Sequence, residues 1–174
     1  DMGETRMAIQ IAESAARGGF ADLAYLYAGD AYRIEGQFDQ AVAYYDKVLK
    51  IEPRGNEGEV NRIKRAQTRA RMNIEAIRVF DKLDLTKIPD GTYRGVAPAY
   101  AGDLQVEVTV QSGRLQDVKV VQHHEKQYYA AMTETPRKII QKQGLRGVDA
   151  TTGATITSEA IINATAQALG SALK

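Results

Sequence analysis

The chain has 174 residues, 44% hydrophobic and 26% charged, so it is long enough for one large domain or two small ones with buried cores. A formal net charge of +1 gives no global field toward nucleic acid or membranes, and the lack of cysteine excludes disulfides, thiolate metal sites and thiol catalysis. No apolar run approaches the ~20 residues of a membrane span. Because the chain opens on Asp1, we expect a mature or trimmed fragment from which a targeting segment was removed.

The first part of the chain has the apolar spacing of helices. Helices are predicted at residues 4–17, 22–35 and 38–50, and Pro53 follows the end of the third. Asp22 is expected to cap the second helix through its carboxylate.

The second and third helices resemble a tetratricopeptide repeat, a motif of ~34 residues. That motif has a large residue, a small pair and Tyr on its first helix, then Ala, an aromatic residue and Pro. Those places are taken here by Tyr25, Ala28, Gly29, Tyr32, Ala41, Tyr45 and Pro53. The resemblance covers about residues 22–55 and implies protein docking through a helical repeat, with an unrelated helical hairpin as the alternative. One repeat cannot bury its own face, so residues 4–17 are read as part of an earlier repeat.

Residues 57–82 are predicted to form one long helix that caps the repeat. Its apolar stripe consists of Val60, Ile63, Ala66, Ala70, Ile74, Ile77 and Phe80. Its other faces carry Arg62, Lys64, Arg65, Arg69 and Arg71. Because no aromatic residues interleave with these charges, a solvated face is favoured over a surface for nucleic acid or an acidic partner. No nucleic-acid partner is therefore expected.

The periodicity then changes from helical to alternating, which predicts two domains, residues 1–83 and 84–174. Apolar and polar residues alternate over 104–111, as in a half-buried antiparallel strand. A hairpin turn is predicted at Ser112-Gly113, and a shift in the apolar phase after it predicts a bulge near Gln116-Asp117.

Two further helices are predicted at residues 136–143 and 158–173, with Pro136 in the first turn of the earlier one. The expected fold class is therefore α+β. An all-α tetratricopeptide-like module precedes an antiparallel sheet with helices.

A hydroxyl-rich stretch, residues 149–158, leads into the last helix. A helix start offers free backbone N–H groups and the positive end of a dipole, so it suits a phosphate. A capped helix start with a turn before it is the alternative that composition favours.

Residues 90–174 resemble the FMN-binding domain of the extracytoplasmic flavin subunits of sodium-translocating NADH:quinone reductases and Rnf complexes. The matching features are Asp90-Gly91-x-Tyr93-x-Gly95, the valine-rich hairpin, His124-Glu125 and Asp149-x-x-Thr152-Gly153-Ala154-Thr155. The last run matches the family's flavinylation motif and is the most specific signal in the chain.

The resemblance implies FMN joined covalently, through a phosphoester, to Thr155. A separate flavin transferase, using FAD and a divalent cation, would make the bond. Small residues beside the acceptor leave room for the backbone to approach the phosphate, hydroxyls can bond its oxygens, and Asp149 resembles a residue needed for modification or forms a turn. Besides Thr155, the predicted cofactor-binding residues of this stretch are Asp149, Thr152, Gly153, Ala154, Thr157 and Ser158, and the last two are also expected to cap the helix.

Three residues match family segments near the flavin: His124, Glu125 and Tyr93. Many family members continue after His-Glu with Thr-Pro-Gly, whereas this chain continues with residues 126–129, Lys-Gln-Tyr-Tyr, where a small helix is expected. His123 and His124 are adjacent, so on a strand they would point to opposite faces and make a poor metal pair. No metal site is predicted.

The function expected from these features is an extracytosolic electron-transfer flavoprotein, periplasmic or at the cell surface. Membrane anchoring through a segment outside this chain is left open. Electrons would pass to and from redox partner proteins, because no substrate-pocket motif is evident, so an electron carrier is favoured over an enzyme with its own substrate. The alternatives are a non-redox scaffold with an unmodified flavin domain, and a fragment of a larger flavin-dependent reductase.

Overall fold

A computed structural model of the protein describes residues 9–15, 18–80, 82–126, 129–148, 150–151 and 153–173. The α+β prediction is confirmed, since helices come first and a three-stranded antiparallel sheet with helices follows. Contacts divide the chain into two compact units, residues 1–74 and 75–174. The domain boundary after residue 83 stays a prediction. No helix among the described residues is both long and apolar enough to cross a membrane.

The first unit contains helical residues 9–15 (α1), α2 (Ala21–Ile34), α3 (Phe38–Leu49) and the start of α4 (Glu57–Phe80). These bounds lie within a few residues of the predicted ones, although the ends predicted for the first helix fall outside the described residues.

Asp22 is not the cap that was predicted for α2. Phe20 holds the cap position without a side-chain hydrogen bond. The carboxylate of Asp22, 2% exposed, instead accepts a hydrogen bond from Arg62 Nε at 2.8 Å. A neighbouring cation on α4 therefore outweighs the local capping preference.

The small residues of the repeat give α2 and α3 a close contact. An added Cβ at Gly29 would lie 2.5 Å from Cε1 of Tyr45, which is fully buried. The Tyr45 hydroxyl donates to Asp30 Oδ1 at 2.7 Å, and Asn73 Nδ2 donates to the same oxygen at 3.1 Å. Arg69 pairs with the other Asp30 oxygen at 3.4 Å. One buried carboxylate thus joins α2, α3 and α4.

The solvated face predicted for α4 is wrong at two of its five basic positions. Arg62 and Arg69 reach across to the carboxylates of α2, where their side chains are 23% and 14% exposed. Lys64, Arg65 and Arg71 are exposed as predicted.

The sheet of the second unit has the order β1 (Gly91–Pro98), β2 (Asp103–Gln111) and β3 (Arg114–Gln122). The alternation on β2 is confirmed: one face is fully buried, and it consists of Leu104, Val106, Val108 and Val110. The hairpin turn has φ of 51° at Ser112 and 70° at Gly113, both left-handed, as tight hairpins require.

The predicted bulge is confirmed. Thr109 pairs with Asp117 while Val110 pairs with Leu115, so Gln116 is the extra residue. A second register shift, which the sequence did not predict, leaves Val121 extra.

Two helices complete the second unit, α5 (Tyr129–Lys142) against β3 and α6 (Thr155–Ala172) against β1 and β2. Gly95 allows α6 to approach β1, because an added Cβ there would lie 1.9 Å from the Ala164 carbonyl oxygen. α6 is largely buried, and every residue from 157 to 166 is buried.

The predicted starts of both helices are wrong. α5 begins at Tyr129, so Pro136 lies in its interior rather than its first turn. Pro136 and the neighbouring Thr135 and Ile139 are buried, and this packing outweighs the backbone hydrogen bond that proline cannot make. α6 begins at Thr155 rather than at Ser158.

Candidate functional site

A pocket of about 240 Å³ opens at the start of α6. Two segments line it: Tyr100, in the turn between β1 and β2, and residues 153–157.

Thr155 is the first residue of α6 and is exposed. The first helical hydrogen bond runs from the Ser158 N–H to the Ala154 carbonyl at 2.9 Å. A helix leaves the N–H groups of its first turn without intrahelical acceptors, and the positive end of its dipole lies there. The first-turn residues Thr155, Ile156 and Thr157 all line the pocket, which therefore suits a phosphate.

Gly153 turns the chain into the helix. Its φ of 77° is left-handed, a conformation that glycine adopts at little cost. The Ala154 N–H donates to the Thr151 carbonyl at 2.9 Å and closes this turn. The turn delivers Thr155 to the mouth of the pocket.

A buried hydroxyl cluster holds this turn from behind. Ser158 Oγ accepts hydrogen bonds from the Thr151 N–H at 3.0 Å and from Thr135 Oγ1 of α5 at 3.2 Å. All three residues are at most 7% exposed. The capping role predicted for Thr157 and Ser158 is wrong, because Ala154 holds the cap position and has no side-chain cap bond. Ser158 instead ties the preceding loop to α5.

Thr157 lines the pocket and carries a buried hydroxyl. Its side chain is 1% exposed, and Oγ1 meets no hydrogen-bond partner within the described part of the chain. An unpaired buried hydroxyl is costly, so such an atom beside a pocket indicates a place for a ligand acceptor.

The Tyr100 turn is fixed by two hydrogen bonds. The Ala99 N–H donates to the Gly102 carbonyl at 2.8 Å, and Gly102 has a left-handed φ of 138°. The Ala101 N–H donates to Glu125 Oε1 at 3.0 Å, and Glu125 is 5% exposed.

Comparison with protein families gives two matches. The family model of the FMN-binding domain matches residues 99–170. The chain contains an FMN-binding domain. The matched range includes both segments that line the pocket, and the match supports FMN as the cofactor. A tetratricopeptide repeat matches residues 22–54, and repeats of this kind mediate protein–protein interaction. No curated protein matches the chain.

The pocket of the FMN-binding domain fits its cofactor. FMN combines a phosphate with an aromatic ring system, and the pocket combines a helix start, a buried hydroxyl and a tyrosine ring. Four of the residues predicted to bind the cofactor line this pocket, namely Gly153, Ala154, Thr155 and Thr157, and Ser158 lies next to them in α6. Their role as cofactor-binding residues stays a prediction.

Other predicted residues lie away from the pocket lining. His124 is exposed beside the Gly102 turn, and the Glu125 carboxylate accepts a hydrogen bond from the Ala101 N–H of that turn. The Tyr93 hydroxyl donates to the Pro89 carbonyl at 2.7 Å. Asp149 and Thr152 lie outside the described residues.

The strand argument about the two histidines does not apply, because β3 ends at Gln122, before both of them. Among the described residues no three His, Asp or Glu side chains are grouped as a metal would need. The sequence missed Tyr100 as a pocket residue, although an aromatic residue in a turn ending in glycine was a usable signal.

Proposed function

We propose that this protein is an electron-transfer flavoprotein that carries FMN phosphoester-linked to Thr155. The observation that supports this most is the position of Thr155, exposed at the first residue of α6 and lining the pocket. The residue type also fits, because a phosphoester needs a hydroxyl acceptor and the flavinylation motif ends on this threonine.

Attachment requires a separate flavin transferase with FAD and a divalent cation. Thr155 Oγ1 forms a bond to the phosphorus on the riboflavin side of FAD, the P–O bond of the diphosphate breaks, and AMP leaves. The hydroxyl proton passes to a base of the transferase or to water. The exposure of Thr155 suits this reaction, since the acceptor must enter another enzyme's active site.

The chain's own residues then bind and orient the phosphate. N–H groups of the first turn of α6 donate to its oxygens, and the helix dipole stabilises its charge. Thr157 Oγ1 donates to the same group, which satisfies the one pocket-lining hydroxyl that is buried without a partner in the described chain. Bound FMN supplies one- and two-electron redox chemistry, while the protein positions and tunes it.

A tethered flavin cannot diffuse away, which suits a carrier outside the cytoplasm, in the periplasm or at the cell surface. We propose that the tetratricopeptide repeat docks this carrier to a partner protein and that electrons pass between redox proteins. Fractionation of cells that express the complete gene tests the location, and flavinylated protein confined to the cytosol would contradict it.

Co-expression with a flavin transferase tests the linkage. Intact mass should rise by one FMN less one water, and the denatured band should fluoresce in a gel. Thr155→Ala should lose both signals, whereas Thr155→Ser retains a hydroxyl and should keep some labelling. Thr133→Ala, at an exposed threonine of α5, is the matched control and should label fully. An unlabelled wild type, or an adduct that survives in Thr155→Ala, would refute the covalent proposal.

A further inference from the structure

The turn that carries Tyr100 is contacted by a residue that follows β3, the strand at the opposite edge of the sheet. It joins β1 to β2, at the sheet end where β3 leaves, since Pro98 pairs with Asp103 and Gln105 pairs with Gln122. Glu125 follows β3 and reaches back 24 residues along the chain to the Ala101 N–H.

Glutamate is an unusual residue type at a position as buried as that of Glu125. A carboxylate at 5% exposure loses hydration, and that loss is offset only if the group is hydrogen-bonded. Its bond to a backbone N–H is of the stronger, charge-assisted kind. The bond fixes the residue next to Tyr100, so its structural effect falls on the wall of the pocket.

Tyr100 is 66% exposed and is one of the residues that line the pocket. A large, mostly exposed ring beside a ligand site contributes most to the free energy of binding when a flat apolar ligand covers it, because apolar surface is then removed from water. The phosphate end of FMN is assigned to the start of α6, so the ring system must extend from there.

We propose that Tyr100 packs against the flavin ring, and that Glu125 is a positioning residue that holds Tyr100 there by binding the Ala101 N–H. This inference rests on the FMN site proposed above. It gives Glu125 a role through the turn rather than by contact with the cofactor.

The hydrogen bond from the Ala101 N–H to Glu125 is tested first without flavin, by hydrogen exchange at the Ala101 amide. Glu125→Leu removes the acceptor and should speed this exchange at least about tenfold, because the amide loses its protein partner. Glu125→Gln keeps an acceptor oxygen and should retain the protection. Glu125→Asp, with a shorter side chain, should lose it even if the leucine variant does not fold. Equal protection of the Ala101 amide in Glu125→Asp and wild type would refute the role of this hydrogen bond.

The contact with the flavin is tested by fluorescence of the FMN-loaded protein, with loading verified by mass. Tyrosine in contact with a flavin ring quenches its emission, so Tyr100→Leu should raise the yield by about twofold or more. Glu125→Asp should raise it partly, and Glu125→Gln should not. Tyr129→Leu is the control, because Tyr129 is 60% exposed but does not line the pocket.

An unchanged yield in Tyr100→Leu would overturn the role of Tyr100. If mass shows no adduct, the covalent proposal fails and the same variants are titrated with free FMN. Quenching that Tyr100→Leu abolishes would then still support the contact, and quenching that it leaves intact would refute it.

Discussion

Replacing Thr157 by Val should stabilise the flavin-free protein. The two side chains have nearly the same shape, so the change mainly removes Oγ1, which has no partner among the described residues at a site 1% exposed. Leaving a buried hydroxyl unpaired costs about 1–3 kcal/mol, and the variant should recover about 1 kcal/mol of this. For a chain of 174 residues, that corresponds to a rise in Tm of about 2–4 °C.

The same substitution elsewhere on α6 should have the opposite effect. Thr165 is also fully buried, but its Oγ1 donates to the Ile161 carbonyl at 2.8 Å. Thr165→Val therefore loses a made hydrogen bond and should destabilise by about 0.5–1.5 kcal/mol. Urea unfolding of both flavin-free variants, followed by circular dichroism, measures the two free energies of unfolding.

Loading with FMN should reverse the gain in stability of Thr157→Val over wild type. In the binding mode proposed above, the hydroxyl of loaded wild type donates to a charged phosphate, a bond of about 1.5–3 kcal/mol, and the variant cannot make it. The gain in unfolding free energy on loading should therefore be smaller in the variant by about that amount. If Thr157→Val destabilises the flavin-free protein as Thr165→Val does, the hydroxyl is satisfied without a ligand and the reasoning is refuted.

Two further substitutions test how the fold presents the site. Gly95→Ala should lower the free energy of unfolding, measured in urea, by about 1–3 kcal/mol or more. The added Cβ would meet the backbone of α6, and no rotamer relieves that clash. Wild-type stability in this variant would contradict the packing. Thr135→Val should slow transferase labelling of Thr155, measured by mass over time, because it removes a donor to Ser158, whereas Thr133→Val on the same helix should label at the wild-type rate. Equal rates would show that this bond does not position the acceptor.

Local patterns sufficed for most of the fold. Alternation identified β2, the phase shift identified the bulge at Gln116, and helical spacing identified α2 to α4. The errors arose where a distant partner outweighs a local preference. Asp22 would cap a helix in isolation, but Arg62, 40 residues away, pairs with it. Pro136 would start a helix in isolation, but burial keeps it inside one.

The candidate site divides in the same way. The run that resembles the flavinylation motif is contiguous, so the sequence alone places Thr155 beside Gly153, Ala154 and Thr157, which line the pocket with it. Other elements contribute Tyr100, Thr135 and Glu125, whose carboxylate binds the Ala101 N–H. Only the sheet register and the packing of α5 bring these residues to the site.

The hydroxyls of the motif have separate roles because of helical geometry. Successive helix residues are about 100° apart, so Thr155, Thr157 and Ser158 point in three directions from the same turn. Thr155 faces solvent, Thr157 is buried in the pocket wall, and Ser158 faces α5 and the preceding loop. One turn of helix thus exposes one hydroxyl, buries a second without a partner among the described residues, and anchors its own loop through the third. A start at Ser158 would have left Thr155 on a loop, without the dipole and N–H groups that make the position suitable for a phosphoester.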